Sequence, residues 1–512
     1  MIKFLHHHIK DDRQMKTPLS EATVFKRNKW AYSIPGIGRD MAYTLFATYV
    51  LTYVLFTRSV TTEQFATLGI ILAIFRVWDA LNDPVMGGIV ENTRGRFGKF
   101  KPWIMIGAVT NGVVLVAMFT NRVEGWAFVW LFAVLYLLWD ITWTMNDIAY
   151  WSMLPSLTSD PKRRDSVTSL ANLFGGIGAI AATGLIPIFT NGTNAIGGNS
   201  ISGYIAVVIF IASALVISQI IVCACVKQDN TSRSEKEANV GLKKMFHVIF
   251  HNDQLLWVTL IMLLYNLGST LITAFGVNYM YLSFGYDGFL VTLFVAFWAI
   301  ASIAINALYP TFAAKRNRKT LSKLAVIMTT VGYAMFFLGG TLIPNTDALR
   351  VLNIGLLCLE AFIIGFGQSL FYMVTTICLT NTIEYNQYKT GERDEAIIFS
   401  LRPFMAKMGS ALQQVVITVV YIAIGMTTLT NGISEVEKNA NLQLIDETAK
   451  TDQIAALLNA APGSMVLWLR ICMTLLPIIL IGCAYLVMRK RVKIDENEYK
   501  RMLTEIEERE KI

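Results

Sequence analysis

The chain has 512 residues, 54% of them hydrophobic and only 16% charged, and its mean hydropathy is +0.49. That balance excludes an ordinary soluble globular protein. The formal net charge of +8 needs no nucleic-acid partner, because basic loops beside anionic lipid account for it.

In chain order, the first 29 residues hold seven Lys/Arg and no apolar core, so 1–30 reads as a cytoplasmic tail and not as a cleaved signal peptide. His6, His7 and His8 lie on that charged tail and are read as solvated, without a metal. Twelve apolar runs follow, near 31–56, 64–88, 103–120, 126–150, 166–190, 203–226, 254–280, 287–311, 321–343, 350–378, 397–428 and 464–488. Each is long enough to cross a bilayer core of about 30 Å, which takes roughly 20 helical residues. They predict an all-α integral membrane protein. Assigning the loops alternately to two sides puts 34 of the 44 Lys/Arg inside, five outside and five within spans, the asymmetry of the positive-inside rule. Both termini are then expected in the cytoplasm, with the chain in the cell membrane, in contact with lipid and working as a monomer.

The longest inside connection, 227–253, splits the spans six and six. It predicts two bundles, 31–226 and 254–488, facing each other across a midline cavity. A faint echo between the basic loop at Arg94, Arg96, Lys99 and Lys101 and the later "AKRNRKTLSK" fits an internal repeat. The polar outside loop 429–463 reads as an exposed hairpin in preference to a lid. The tail 489–512 reads as a charged helix with i, i+4 opposite charges. All six cysteines fall in or at the ends of spans, so structural disulfides are not expected, and Cys223 with Cys225 reads as a pair of small buried residues.

A charge inside a span costs about 2.5–3.5 kcal/mol or more, so each is a functional hypothesis. The acids are Asp40, Asp79, Asp83, Asp140, Asp147 and Glu360; the bases are Arg39, Arg76, Arg402, Lys407 and Arg470. No histidine lies in a span, which weighs against His-based intramembrane catalysis. In the second span Arg76, Asp79 and Asp83 follow i, i+3 and i+7 on one face with Asn82 beside them. Two carboxylates and an amide suit a small hard cation such as Na+, held by Asp79 and Asp83, or a shared proton; the plainer alternative is that Arg76 and Asp79 neutralise each other. In the fourth span Asp140, Thr144, Asp147 and Trp151 form one stripe, and a carboxylate beside an indole suits a sugar, whose hydroxyls and C–H face they match. In the first span "IPGIGRDMAY" sets Arg39 and Asp40 beside Gly36 and Gly38, residues small enough for close backbone approach. Lys407, in "PFMAKMGSALQQ", needs acidic partners, for which Asp79 and Asp83 are the obvious candidates. Glu360 and Arg470 read as interface or packing ion pairs.

The stretch "WDALNDPVMGGIVENTRGRFGKFKPW" closely resembles the signature of the glycoside-pentoside-hexuronide:cation symporters, the family of the melibiose permease, and "NDIAYWSMLP" and "AKMGSAL" resemble its fourth- and eleventh-span motifs. The resemblance implies the major facilitator fold and alternating access, with sugar carried together with Na+, H+ or Li+. It implies a cation site of Asp79, Asn82, Asp83 and Thr144 beside Lys407, and a sugar site of Asp40 and Asp147 with Arg39 and Trp151. No cofactor beyond the co-transported cation is expected, and no enzymatic activity. One departure is that the fifth span has no Lys or Arg where melibiose permeases place an arginine; Asn172 lies near that position. Asp140 is an added acid. Both changes favour a neutral glycoside, oligosaccharide or pentoside over an anionic hexuronide. Two alternatives remain: an uncoupled facilitator or exchanger of the same fold, and a membrane sensor or lipid-handling protein.

Overall fold

A computed structural model describes residues 21–510 except 159, 228–241, 287, 344–345 and 393; the His6 to His8 run and most of the central loop lie outside the described residues. Among them the chain is all helical. The first half contains α1 (Glu21–Ser33), α2 (Gly36–Thr57), α3 (Thr62–Asn92), α4 (Lys101–Thr120), α5 (Gly125–Met153), α6 (Pro161–Thr190) and α7 (Ser200–Cys225). The second contains α8 (Leu242–His251), α9 (Asp253–Phe284), α10 (Gly288–Lys315), α11 (Arg318–Leu342), α12 (Arg350–Thr390), α13 (Glu395–Ala423), α14 (Met426–Asn441), α15 (Glu447–Asn459), α16 (Gly463–Arg491) and α17 (Glu496–Glu510).

Eleven of these helices are long and apolar enough to cross a membrane. The remaining expected span is α2, whose 22 residues extend about 33 Å but are diluted by Thr, Tyr and the Arg39 and Asp40 pair. Local sequence sets the ends. Pro35 separates α1 from α2, since proline removes a donor and biases the residue before it away from helix. Thr61 and Gln64 form a reciprocal capping box at the start of α3, satisfying donors that open a helix. The eleventh span expected over 397–428 ends earlier, at Ala423: Gly425, at φ 72, turns the chain into α14 in a backbone conformation that glycine adopts without penalty, and the apolar run continues across the turn.

Within the first half α2 packs on α6 and α7, α3 on α5, and α4 on α5 and α7. In the second, α9 packs on α16 and α13, and α12 on α10 and α11. The halves meet chiefly where α3 packs on α13 and α6 on α10. The α3 and α13 contact is tight: a Cβ on Gly69 would collide with the Thr418 side chain.

The 429–463 region is not the exposed hairpin expected. Together α14 and α15 form a strap that docks on the first half, and some of its polar groups are buried there. Glu437 is 0% exposed and Lys450 1%. Glu437 accepts from the Ser200 amide at 2.7 Å, at the start of α7, where four backbone N–H groups lack helical partners. Lys450 donates to the Gly198 carbonyl at 2.6 Å. Asn431 donates to the Val60 carbonyl at 2.8 Å and accepts from its amide at 2.9 Å, while Lys438 pairs with Glu124 at 2.6 Å. Tyr286 joins Ser200 and Asn191 from the α9–α10 connection. This end, which the basic-residue distribution assigns to the outside, is therefore stitched shut across the two halves. At the opposite end, bonds such as Asn28 to Lys227, Arg318 to Glu496 and Lys389 to Asp253 run within one half.

Candidate functional site

Two charged clusters sit between the ends of the bundle. The first joins the halves. Lys407 on α13 donates to Asp79 Oδ1 at 2.9 Å, to the Asp79 carbonyl at 3.2 Å and to Asp83 Oδ2 at 2.6 Å. Asp79 and Asp83 are four residues apart on α3, so both carboxylates project from one face onto the same ammonium. Arg76 forms no ion pair with Asp79; it donates to the Ala47 carbonyl on α2 at 3.1 Å. The plainer expectation, neutralisation of Asp79 by Arg76, is therefore corrected: the counter-charge comes from the other half of the chain. Asn82 is half-buried on the same helix. Among the described residues, no group of three or more His, Cys, Asp or Glu is arranged to hold a metal ion.

Asp140 and Thr144, one turn apart on α5, are each 1% exposed. Neither oxygen of the Asp140 carboxylate has a hydrogen-bond donor, and the Thr144 hydroxyl has no partner. Asp140 faces Asp79 within hydrogen-bond reach and feels Lys407 and Asp83 beyond it.

The second cluster belongs to the first half. Arg39 lies 2.7 Å from Asp40 Oδ1 and 3.1 Å from Asp147 Oδ1, tying α2 to α5. Its guanidinium lies over Tyr150 at 4.4 Å and Trp151 at 5.0 Å, stacking that suits arginine's planar group. The Arg39 side chain is 5% exposed, whereas Asp40 and Asp147 are 25% and 31% exposed, so the base is buried and the acids keep open edges for hydroxyl donors. Trp151 is half-buried. Asn172 is exposed and lies one turn before Gly175, the α6 glycine that abuts Asp40.

Sequence reasoning missed Gly175. A Cβ there would collide with Asp40 Oδ2, so this glycine of α6 makes room for the acid. Tyr32 was also missed. It stacks on Tyr150 at 4.3 Å, and each hydroxyl donates to the other's carbonyl, at 2.8 and 2.7 Å. The "GGIG" run was the available signal for the glycine; nothing local marked the tyrosine. Glu360 and Arg470 correct another expectation. They flank Gly339 and Gly340 of α11 around a cavity of about 240 Å³ without pairing, and Arg470 donates to the Tyr279 hydroxyl at 3.1 Å. Arg402, likewise, is satisfied within its own half by the Tyr372 hydroxyl at 2.7 Å.

The two clusters are electrostatically connected, because Asp147 lies within reach of Asp79, Asp83 and Lys407. A site of buried opposite charges at the contact of two helical halves is the geometry of a carrier. Residues 31–496 match the family model described as MFS/sugar transport protein. The chain belongs to the MFS/sugar transport protein family. Among curated relatives, the lactose permease of Leuconostoc lactis is 31% identical over 431 residues, covering 79% of this chain and 64% of that protein. The raffinose carrier protein of Pediococcus pentosaceus is 27% identical over 411 residues, covering 78% and 62%. The chain spans just under two thirds of the length of these relatives. A solved bacterial homolog of the human lysosomal transporter Spinster, inward-facing and unoccupied, superposes with a TM-score of 0.58 at 14% identity, covering 93% of this chain and 98% of that one; this likeness shows the MFS fold alone.

Proposed function

We propose that this chain is a secondary active transporter that carries a neutral glycoside, a di- or trisaccharide, into the cell by symport with H+ or Na+. The observation that carries the reading is the juxtaposition just described: a sugar-suited cluster of Arg39, Asp40, Asp147 and Trp151 within electrostatic reach of Asp79, Asp83 and Lys407. The relatives' names, a lactose permease and a raffinose carrier, support the substrate class. Asp40 and Asp147 accept sugar hydroxyls at their open edges while Trp151 covers the apolar ring face. Cation binding at Asp79 and Asp83 relieves negative charge beside that site, and the mutual effect on affinity is reciprocal. Both termini lie in the cytoplasm, and the strap closes the outside face in the state described above. The loaded carrier then exchanges between openings by rocking one bundle against the other.

A second reading, an uncoupled facilitator of the same fold, is favoured by one observation: both Asp79 and Asp83 are engaged by Lys407. Uptake of radiolabelled lactose and raffinose into reconstituted vesicles, with and without an imposed H+ or Na+ gradient, separates the two. Gradient-driven accumulation supports symport. Equilibration that ignores both gradients supports the facilitator, and no uptake of either sugar removes the substrate class proposed.

A further inference from the structure

Asp140 is the strongest unexplained group in the molecule. It is 1% exposed, and neither carboxylate oxygen finds a donor. A buried acid in that condition carries the full cost of lost hydration. Its neighbour within hydrogen-bond reach is another carboxylate, Asp79, and two acceptors so placed need a proton between them. The Thr144 hydroxyl, also buried and unpartnered, adds a second polar group without a partner one turn further along α5.

The surrounding charges give the stoichiometry. From α3, Asp79, Asp83 and Arg76 face this region, and from α13 Lys407; α5 itself adds Tyr136. The α4 helix packed against α5 contributes no acid, and its single base, Lys101, donates to the Val226 carbonyl elsewhere. Within this cluster three carboxylates against two cations leave one negative charge, which one proton cancels; the adjoining cluster of Asp40 and Asp147 against Arg39 keeps its own open acid for hydroxyl donors. A metal ion fits less well, because Lys407 already lies against both Asp79 and Asp83.

We infer that Asp140 holds the coupled cation of this carrier, a proton shared with Asp79. The inference rests on the symport reading above and deepens it. A proton taken from water at one membrane face becomes the O–H that bridges the two carboxylates, and it returns to water at the other face. No bond to the sugar forms or breaks. In the state described, exposure falls from Asp83 (33%) through Lys407 (20%) to Asp79 (8%) in side-chain terms, with Asp140 innermost, so the proton is sealed behind the Lys407 ion pairs.

The test uses the full chain in proteoliposomes with lactose as the probe. A pH dye reports proton movement on lactose addition, and radiolabel reports both accumulation and equilibrium exchange. In the wild type, lactose entry should carry protons inward, and a proton gradient should drive accumulation. In Asp140→Asn, proton movement should vanish and the accumulation ratio should fall to about 1, since a gradient does no work once coupling is lost, while exchange continues. Should Asp140→Asn lose exchange as well, Asp140→Glu decides. Return of exchange with proton movement upholds the inference. Exchange without proton movement, or failure of both variants to exchange, overturns it. Proton-driven accumulation in Asp140→Asn overturns it while symport stands, as does wild-type coupling to Na+ alone. A wild type indifferent to both gradients removes the symport reading itself, and the inference with it.

Discussion

Lys407 and Asp83 lie 2.6 Å apart although 324 residues separate them in the chain. This ion pair, with its companion to Asp79, is the polar connection between the two halves at the depth of the candidate cation site. Removing one member of a largely buried pair leaves an uncompensated charge, which costs more than the pair itself contributes. Lys407→Ala should therefore lower stability by about 3 kcal/mol, read as a drop in the thermal unfolding midpoint in detergent, and should abolish accumulation. If the variant unfolds like the wild type, the pair is not structural in the sense described.

Asp147 offers its oxygens to Arg39 and to incoming hydroxyls. Replacing it with Asn removes the charge that strengthens those bonds, so Asp147→Asn should weaken sugar binding by about tenfold, measured by calorimetry with lactose. On the symport reading, sugar should lose the same factor of influence on cation binding as cation loses on sugar.

Gly175 leaves no room for a side chain beside Asp40. In Gly175→Ala the added methyl would meet the free end of the carboxylate. The acid should be displaced while the backbone stays, costing about 1–3 kcal/mol of stability and most of the sugar affinity. Gly176→Ala is the control, since nothing lies within 4 Å of its new methyl. Equal loss of lactose binding in both variants would show that helix packing in general, and not Asp40, is at issue.

The strap should respond to pH. Burial pushes the Glu437 carboxyl above its ordinary value, with Lys450 and the Ser200 amide pulling the other way. A raised value means the docked strap holds a proton that the released strap gives up, so docking is strongest below the ordinary carboxylate range and weakens as pH rises through the docked value. Spin labels at the exposed positions Asn194 and Asn459 should accordingly report a shorter, narrower distance distribution at pH 5 than at pH 8, and Glu437→Gln should remove that dependence. A distribution unchanged by pH in the parent chain contradicts the assignment.

Much of the candidate site was legible because charge inside a membrane is costly and helical spacing is regular. Asp79, Asp83 and Lys407 could be singled out one by one, and their meeting anticipated, since a deep ammonium has few affordable surroundings. The same logic failed for Arg470 and Glu360, where a tyrosine hydroxyl met the arginine's need and the acid was left unpaired. Gly175 and Tyr32 act by shape and stacking across helices, which no local pattern encodes. The strap was misread for a related reason. Its sequence is polar, and a polar loop is ordinarily solvated, but Glu437 and Lys450 are buried because their partners are backbone groups of a distant connection, Ser200 and Gly198.

The turn at Gly425 makes α13 and the strap one continuous piece of chain. From Lys407 to Ala423 is 16 helical residues, about 24 Å, a rigid arm with its grip on the Asp79 and Asp83 carboxylates at one point and the lock on the outer doorway at its tip. On an arm of that length a small tilt at the carboxylates is, by geometry alone, a larger displacement where the strap meets α7. The buried charges and the closed end of the bundle are thus joined through a single helix.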